Sequence, residues 1–234
     1  MTKRYIFMLL LCLITAKAVK AQDENPVGKW SFTPTLGVTV ANLSNYTLAL
    51  SDTQKSLDPK YRASFMGGVE VEYRLTNPLG LSLGVYYSQQ GSRYKSFEVT
   101  GEDHSDYVGY HNMYARLQYL QVPLLAKLYV GNGLALMTGL QVGYLLDAKE
   151  HMEMTTIEKG EGDSFQYVES PAIDAEIPCK KVDVSIPVGV SLEYMNVVLT
   201  AKYHFGLTRV DDFPEGLKQN CKNKLFTFSV GYRL

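Results

Sequence analysis

The chain alternates apolar and polar residues through eight separate segments, the mark of β-strands with one greasy and one polar face. The last segment is the plainest: Phe226, Phe228, Val230, Tyr232 and Leu234 share one face, and Thr227, Ser229, Gly231 and Arg233 the other. Segments 183–194 and 197–208 follow the same rule, as do five earlier ones at about 29–43, 62–75, 79–94, 117–130 and 134–148. Thr76-Asn77-Pro78, Gly131-Asn132-Gly133 and Met195-Asn196 supply tight turns of suitable chemistry. The remaining links, about 44–61, 95–116, 149–181 and 209–223, are long. Short turns at one end and long loops at the other predict an all-β fold, an eight-stranded antiparallel up-and-down barrel.

Alternation alone does not say which face turns outward. Glycines do: Gly37, Gly68, Gly80, Gly84, Gly139, Gly143, Gly189, Gly206 and Gly231 lie on the polar face, and only Gly67 breaks the rule. Small residues belong on the concave side of a narrow barrel. The apolar face carries no charge in any of the eight segments, as a lipid-covered surface requires, since one midplane Lys or Arg costs roughly 2–4 kcal/mol. Aromatics mark both ends of that face. Trp30, Tyr73, Tyr194 and Tyr232 fall near the short turns, and Phe65, Tyr87, Tyr144, Phe205 and Phe226 toward the long loops. The strands are therefore expected to cross a membrane, apolar side out. Hydrocarbon leaves no partner for an open sheet edge, so the first strand must pair with the last.

Residues 1–21 read as a secretory signal: Lys3 and Arg4, then apolar Tyr5–Ala16, then Val19-Lys20-Ala21 before Gln22. The apolar stretch is too short for a membrane helix, and Leu11 before Cys12 does not suit lipidation. The mature domain is then 22–234, a barrel with four long extracellular loops. Removing four basic residues leaves 19 bases against 24 acids, a net charge of −5, which excludes a strongly basic nucleic-acid binder. A mean hydropathy of −0.10 argues against a multi-helix membrane protein.

Few residues suggest chemistry. On the polar face Glu70, Glu72, Arg74, Lys127, Glu193, Lys202 and Arg233, with Asp147 and Asp183, are expected to form an interior ion-pair network, because charges away from bulk water need partners. A polar ion pathway is the alternative, and eight strands leave no open lumen for it. His204 points inward and is expected to be a satisfied core histidine, with no identifiable nucleophile beside it. Glu102, Asp103, His104, Asp106 and His111 lack a recognised metal-ligand spacing. The third loop, 149–179, holds eight acids against two lysines and is expected to be a solvated, flexible segment; bridging to anionic lipid through divalent ions, or binding a basic partner, is the functional alternative. Cleavage leaves two cysteines, Cys179 and Cys221, on the same rim; in an oxidising compartment such a pair is expected to bridge, two free thiols being the alternative.

The stretches Tyr119-Leu120-Gln121-Val122-Pro123-Leu124-Leu125-Ala126-Lys127 and Gly139-Leu140-Gln141-Val142-Gly143-Tyr144-Leu145-Leu146, with the ending Gly231-Tyr232-Arg233-Leu234, resemble the PorT-like outer-membrane β-barrel proteins of Bacteroidetes, small barrels of the OmpX and OmpA kind. The resemblance implies an eight-stranded outer-membrane barrel, and in one member a part in type IX protein secretion. The expected function is a non-enzymatic barrel without cofactor or metal, presenting surface loops for binding. The alternatives are an accessory role in a secretion or envelope assembly, then a lipid-modifying enzyme, then a narrow channel. The expected partners are outer-membrane lipid, the barrel-assembly machinery during insertion and an unidentified envelope protein, with the barrel a monomer and no nucleic acid involved.

Overall fold

In the computed structural model the alternating segments are strands, and the first pairs with the last. The structure describes residues 27–45, 48–49, 56–100, 107–159, 165–213 and 220–234. The signal-like 1–21, the loop residues Glu102, Asp103, His104 and Asp106, and Glu161 and Asp163 lie outside them. Among the described residues twelve strands follow in order: β1 (Trp30–Ser44), β2 (Leu48–Ala49), β3 (Ser56–Leu57), β4 (Lys60–Arg74), β5 (Leu79–Arg93), β6 (Phe97–Thr100), β7 (Tyr107–Gly131), β8 (Leu134–Lys159), β9 (Phe165–Glu176), β10 (Val182–Tyr194), β11 (Val197–Gly206) and β12 (Lys222–Tyr232). Eight of them close a ring in the order β1-β4-β5-β7-β8-β10-β11-β12, every neighbour antiparallel.

The seam runs from Thr35↔Gly231 to Ser44↔Lys222, and Leu234 extends it, its N–H donating to Phe32 O at 2.8 Å while Phe32 N–H donates back at 3.2 Å. This accounts for the backbone groups that an open edge would strand in lipid. At the short-turn end, Met195 and Asn196 both take positive φ (48° and 66°), the mirror-image turn whose twist matches that of its flanking strands.

The two faces are inverted relative to a water-soluble barrel. Leu36 is 74% exposed and Leu140 55%, whereas Glu72 and Arg74 are each 2% exposed and Lys127 3%. Trp30 and Tyr73 pack at a tilt at the short-turn end with centroids 4.8 Å apart, and Phe65 and Tyr87 meet at 5.6 Å toward the loops. Tyr144, Tyr194, Phe205, Phe226 and Tyr232 are also on the outer face, joined near the loops by Tyr61 and Tyr203, which pack against Phe226.

Two loops differ from expectation. β7 and β8 run 25 and 26 residues, well past the 10 to 15 of the other ring strands, so much of 95–116 and 149–181 is strand rather than loop. β7 and β8 remain paired up to Val108↔Thr156, and β6 and β9 flank them, giving a four-stranded sheet β6-β7-β8-β9 that rises from one side of the barrel. Above the membrane both sides of a sheet can be polar, so the two-period contrast that marks a membrane strand fades.

Beneath this sheet the barrel mouth is filled by apolar side chains. Leu43, Tyr94, Tyr110, Met113, Leu117, Tyr119, Leu145, Ile177, Val210 and Cys221 form one buried cluster. Their burial plugs the loop end over a polar interior.

Candidate functional site

The barrel interior is organised by what lies opposite each charge. Glu70 and Glu72 on β4 face Gly84 and Ser82 of β5, and Lys127 on β7 faces Gly80 of the same strand. Because β5 offers no bulk there, Lys127 crosses it: Nζ donates to Glu72 Oε2 at 2.9 Å and also to Glu70 Oε1. A Cβ at Gly80 would stand 2.8 Å from Glu72 Oε1. From the far side Arg233, just past β12, donates to Glu72 Oε2 at 3.2 Å and to Ser31 Oγ at 3.1 Å, and its Nε lies 2.9 Å from Glu193 Oε1 on β10. Tyr129 donates to Glu72 Oε1, and the Arg74 guanidinium lies 3.3 Å over the Tyr129 ring centroid. Charge is thus matched locally, as burial demands.

Other polar-face residues form no direct ion pair with this network among the described residues. Lys202 Nζ is 5.2 Å from the Tyr86 ring centroid, and Tyr86 in turn donates to Glu70 at 3.1 Å. Asp183 is higher, accepting from Thr208 Oγ1 at 2.7 Å and Asn223 Nδ2 at 3.0 Å. His204 Nε2 is 3.2 Å from Thr227 Oγ1, while Nδ1 has no hydrogen-bond partner. Asp147 does not point inward. An extra residue, Leu146, bulges β8 between the pairs Tyr119↔Leu145 and Gln118↔Asp147, and the side-chain alternation flips there. Asp147 consequently meets Gln118 at 3.4 Å and Arg116 at 4.0 Å on the outer side. The cavity lined by Thr35, Glu70, Lys127, Lys202 and Arg233 holds about 10 Å³, room for no more than a water.

Cys179 and Cys221 are both free thiols, so the expected bridge is absent from the structure. A short ladder holds their segments together instead: Cys179 bridges to Asp211, Val210 N–H donates to Cys221 O at 2.9 Å, and Cys221 N–H donates to Asp211 Oδ1 at 2.8 Å. Burial, with the Asp211 carboxylate beside them, pushes each thiol up to about 12. Such thiols are poor nucleophiles. Among the described residues no three His, Cys, Asp or Glu side chains gather to hold a metal.

The acidic third loop is largely a hairpin, and His151 is its clasp. Its Nδ1 is 2.9 Å from Asp174 Oδ1 on β9 and its Nε2 3.3 Å from Glu153 Oε1, while the ring stacks on Tyr114 of β7 at 4.7 Å. These carboxylates raise the His151 pKa, the Asp174 hydrogen bond most. Glu150, the next residue, is turned the other way, across from fully buried Ala115, with Oε1 unpartnered; burial pushes its carboxyl up to about 7. Alternation gave no hint of either residue's role, because the partners come from a strand the sequence presented as loop. The apolar plug did leave a trace: Leu117, Tyr119 and Leu145 are apolar residues on the otherwise polar face.

Residues 20–212 match the family model described as outer membrane protein beta-barrel domain. Among solved structures, the chain is similar to Ail, the attachment invasion locus protein of Yersinia pestis, at 13% identity, with 89% of this chain and 100% of that chain covered and a TM-score of 0.44. Neisserial surface protein A is 14% identical over 88% of this chain and 96% of its own, with a TM-score of 0.39. A de novo designed transmembrane β-barrel is 11% identical over 90% of this chain and 99% of its own, with a TM-score of 0.36. No curated protein matches the chain. The family match spans most of a chain whose strands close on themselves with their apolar side outward, and the protein belongs to the outer membrane protein beta-barrel domain family, an integral protein of the outer membrane.

Proposed function

We propose that this barrel is a non-enzymatic anchor for a recognition surface, and that the surface is the extracellular sheet β6-β7-β8-β9. One observation carries the reading: the sheet ends at β9, a 12-residue strand that pairs with β8 on one side and with no other strand among the described residues. An unpaired edge is a template for an extended segment of another protein, with backbone hydrogen bonds giving affinity and alternate side chains giving choice. Glu169, Asp174 and Glu176 make this edge acidic and favour a basic partner; Pro171 interrupts its donors and limits self-pairing. Tyr167 (71% exposed) and Ile173 (41%) offer apolar contacts. The filled interior and the apolar plug support this reading over a channel.

Residues 1–21 are proposed as the export signal, with the barrel-assembly machinery inserting 22–234 as a monomer. The PorT-like resemblance supports a second reading, docking of a secretion or envelope component, because the similar stretches 119–127 and 139–146 lie on the neighbouring strands β7 and β8. Photo-crosslinking residues at Tyr167 and at the turn residue Met195 separate the two in intact cells. An adduct from Tyr167 alone supports surface recognition. A stoichiometric envelope adduct from Met195 supports the second reading.

A further inference from the structure

Where β4, β5 and β7 leave the aromatic belt on the loop side, the rim holds a cleft of about 410 Å³ lined by Arg62, Arg93, Ser96, Asn112 and Tyr114, with Tyr94 and Met113 of the buried plug at its base. Arg62 is fixed in place: its guanidinium lies 4.7 Å over the Tyr114 ring, which stacks on His151 behind it, and its Nη1 donates to Ser64 Oγ at 2.9 Å. Arg93, the last residue of β5, pairs in register with Tyr114 of β7 and is exposed. Among the described residues neither arginine has a carboxylate partner. Arg116 is close enough to repel Arg62, and its contact with Asp147 at 4.0 Å is long. The nearest carboxylate on the Asn112 side, Glu153, is engaged by Asn112 at 2.9 Å and by His151.

Height matters as much as charge. Arg62 is three residues beyond Phe65, whose ring packs on Tyr87 in the loop-side aromatic belt. Three residues of a strand tilted about 40° rise roughly 7–8 Å, which puts the guanidinium at the level of the outer-leaflet headgroups. Two guanidinium groups lining one cleft, with an amide and phenols beside them, match a phosphate ester, which a guanidinium group binds through two parallel N–H···O contacts.

We propose that this cleft binds a phosphate ester, presented by a phosphorylated glycolipid of the outer leaflet. The shared chemistry would also accept a soluble phosphate, and the test separates the two. Native mass spectrometry of the intact mature barrel in detergent would be run with lipid A carrying its phosphates, with dephosphorylated lipid A, and with inorganic phosphate. Retention of one phosphorylated lipid A, at least tenfold tighter than the dephosphorylated form and not displaced by millimolar inorganic phosphate, is expected. Arg62→Gln combined with Arg93→Gln should lose that preference, whereas Lys224→Gln, basic and exposed on β12 outside the cleft, should keep it. Heat-modifiable gel migration of each variant shows that it is folded, and Arg62→Lys, which keeps the charge, should recover part of the binding. Equal retention of both lipids, or an undiminished preference in the folded double variant, would overturn the site. Arginine-dependent capture of inorganic phosphate with no preference between the lipids would overturn the glycolipid as its source.

Discussion

Lys127 Nζ lies 2.9 Å from Glu72 Oε2 and also donates to Glu70, so one ammonium from β7 holds two carboxylates that rise from β4. Only the small residues of β5 between them make this crossing possible. Lys127→Met takes the ion-pair partner from buried Glu70 and one of two cations from Glu72, and should cost about 3–5 kcal/mol, the usual penalty for orphaning a buried ion. Urea titration in micelles, followed by the gel shift of the folded form, measures it. Adding Glu70→Gln in the same chain should recover part of the loss, because one orphaned charge is removed. A midpoint unchanged by Lys127→Met would show that the network contributes nothing.

Gly80 is the small residue most exposed to this test. A side chain there would meet Glu72 Oε1 at 2.8 Å and the Tyr129 ring at 3.3 Å. Gly80→Val should therefore lower the folded fraction during refolding into micelles, while Leu81→Val, one position along and facing outward, should leave it nearly unchanged.

The β6-β7-β8-β9 sheet should tighten in acid. His151 has a raised pKa through Asp174 and Glu153, so the clasp is fully present below the ordinary histidine value and is lost as pH climbs through the raised one. Glu150 acts in the same direction. Its carboxyl is pushed up to about 7 by burial, so folding pays for its ionisation increasingly from the ordinary carboxylate range up to pH 7. Amide exchange across β8 and β9, corrected for intrinsic rates, should be slower at pH 5.5 than at pH 8. Glu150→Gln should remove part of the difference, and His151→Asn another part.

The cysteines offer a separate check. With both thiols free and their pKa values near 12, Cys221 at 1% exposure and Cys179 partly covered should alkylate slowly at pH 8 in the folded barrel. Denaturation should speed the reaction by orders of magnitude. A disulfide-linked peptide in unreduced digests of the protein would contradict the structure at this point.

How much of this could be read from the residues differs by region. In the membrane each residue has one of two fates, lipid or interior, so Leu136, Leu140, Val142 and Tyr144 against Gln141 and Gly143 wrote the strand and its sidedness together. Ring closure followed from the absence of backbone partners in hydrocarbon. Above the membrane that two-way contrast disappears. Residues 149–156 put Lys149, His151, Glu153 and Thr155 on one face and Glu150, Met152, Met154 and Thr156 on the other, so neither face is uniformly apolar, and their strand shows through pairing with β7 and β9. The sidedness of Asp147 turned on one bulged residue, Leu146, which leaves no mark in the alternation. Which charges meet was also hidden: Lys127 and Glu72 are partners because of what β5 lacks, a property of three strands rather than of any one.

The account rests on the orientation of the two faces, and brominated-lipid quenching tests it at single positions. Leu140 is 55% exposed midway through the outward apolar stretch of β8, which runs from Leu136 to Leu146, and Trp30 is 69% exposed in the belt at the short-turn end. In Trp30→Phe/Leu140→Trp barrels reconstituted in bilayers, bromines deep in the acyl chains should quench the new tryptophan strongly, whereas native Trp30 should respond best to bromines near the headgroup. A Leu140→Trp fluorophore that ignores acyl-chain bromine and yields instead to aqueous iodide would place the apolar face away from lipid and contradict the fold's orientation.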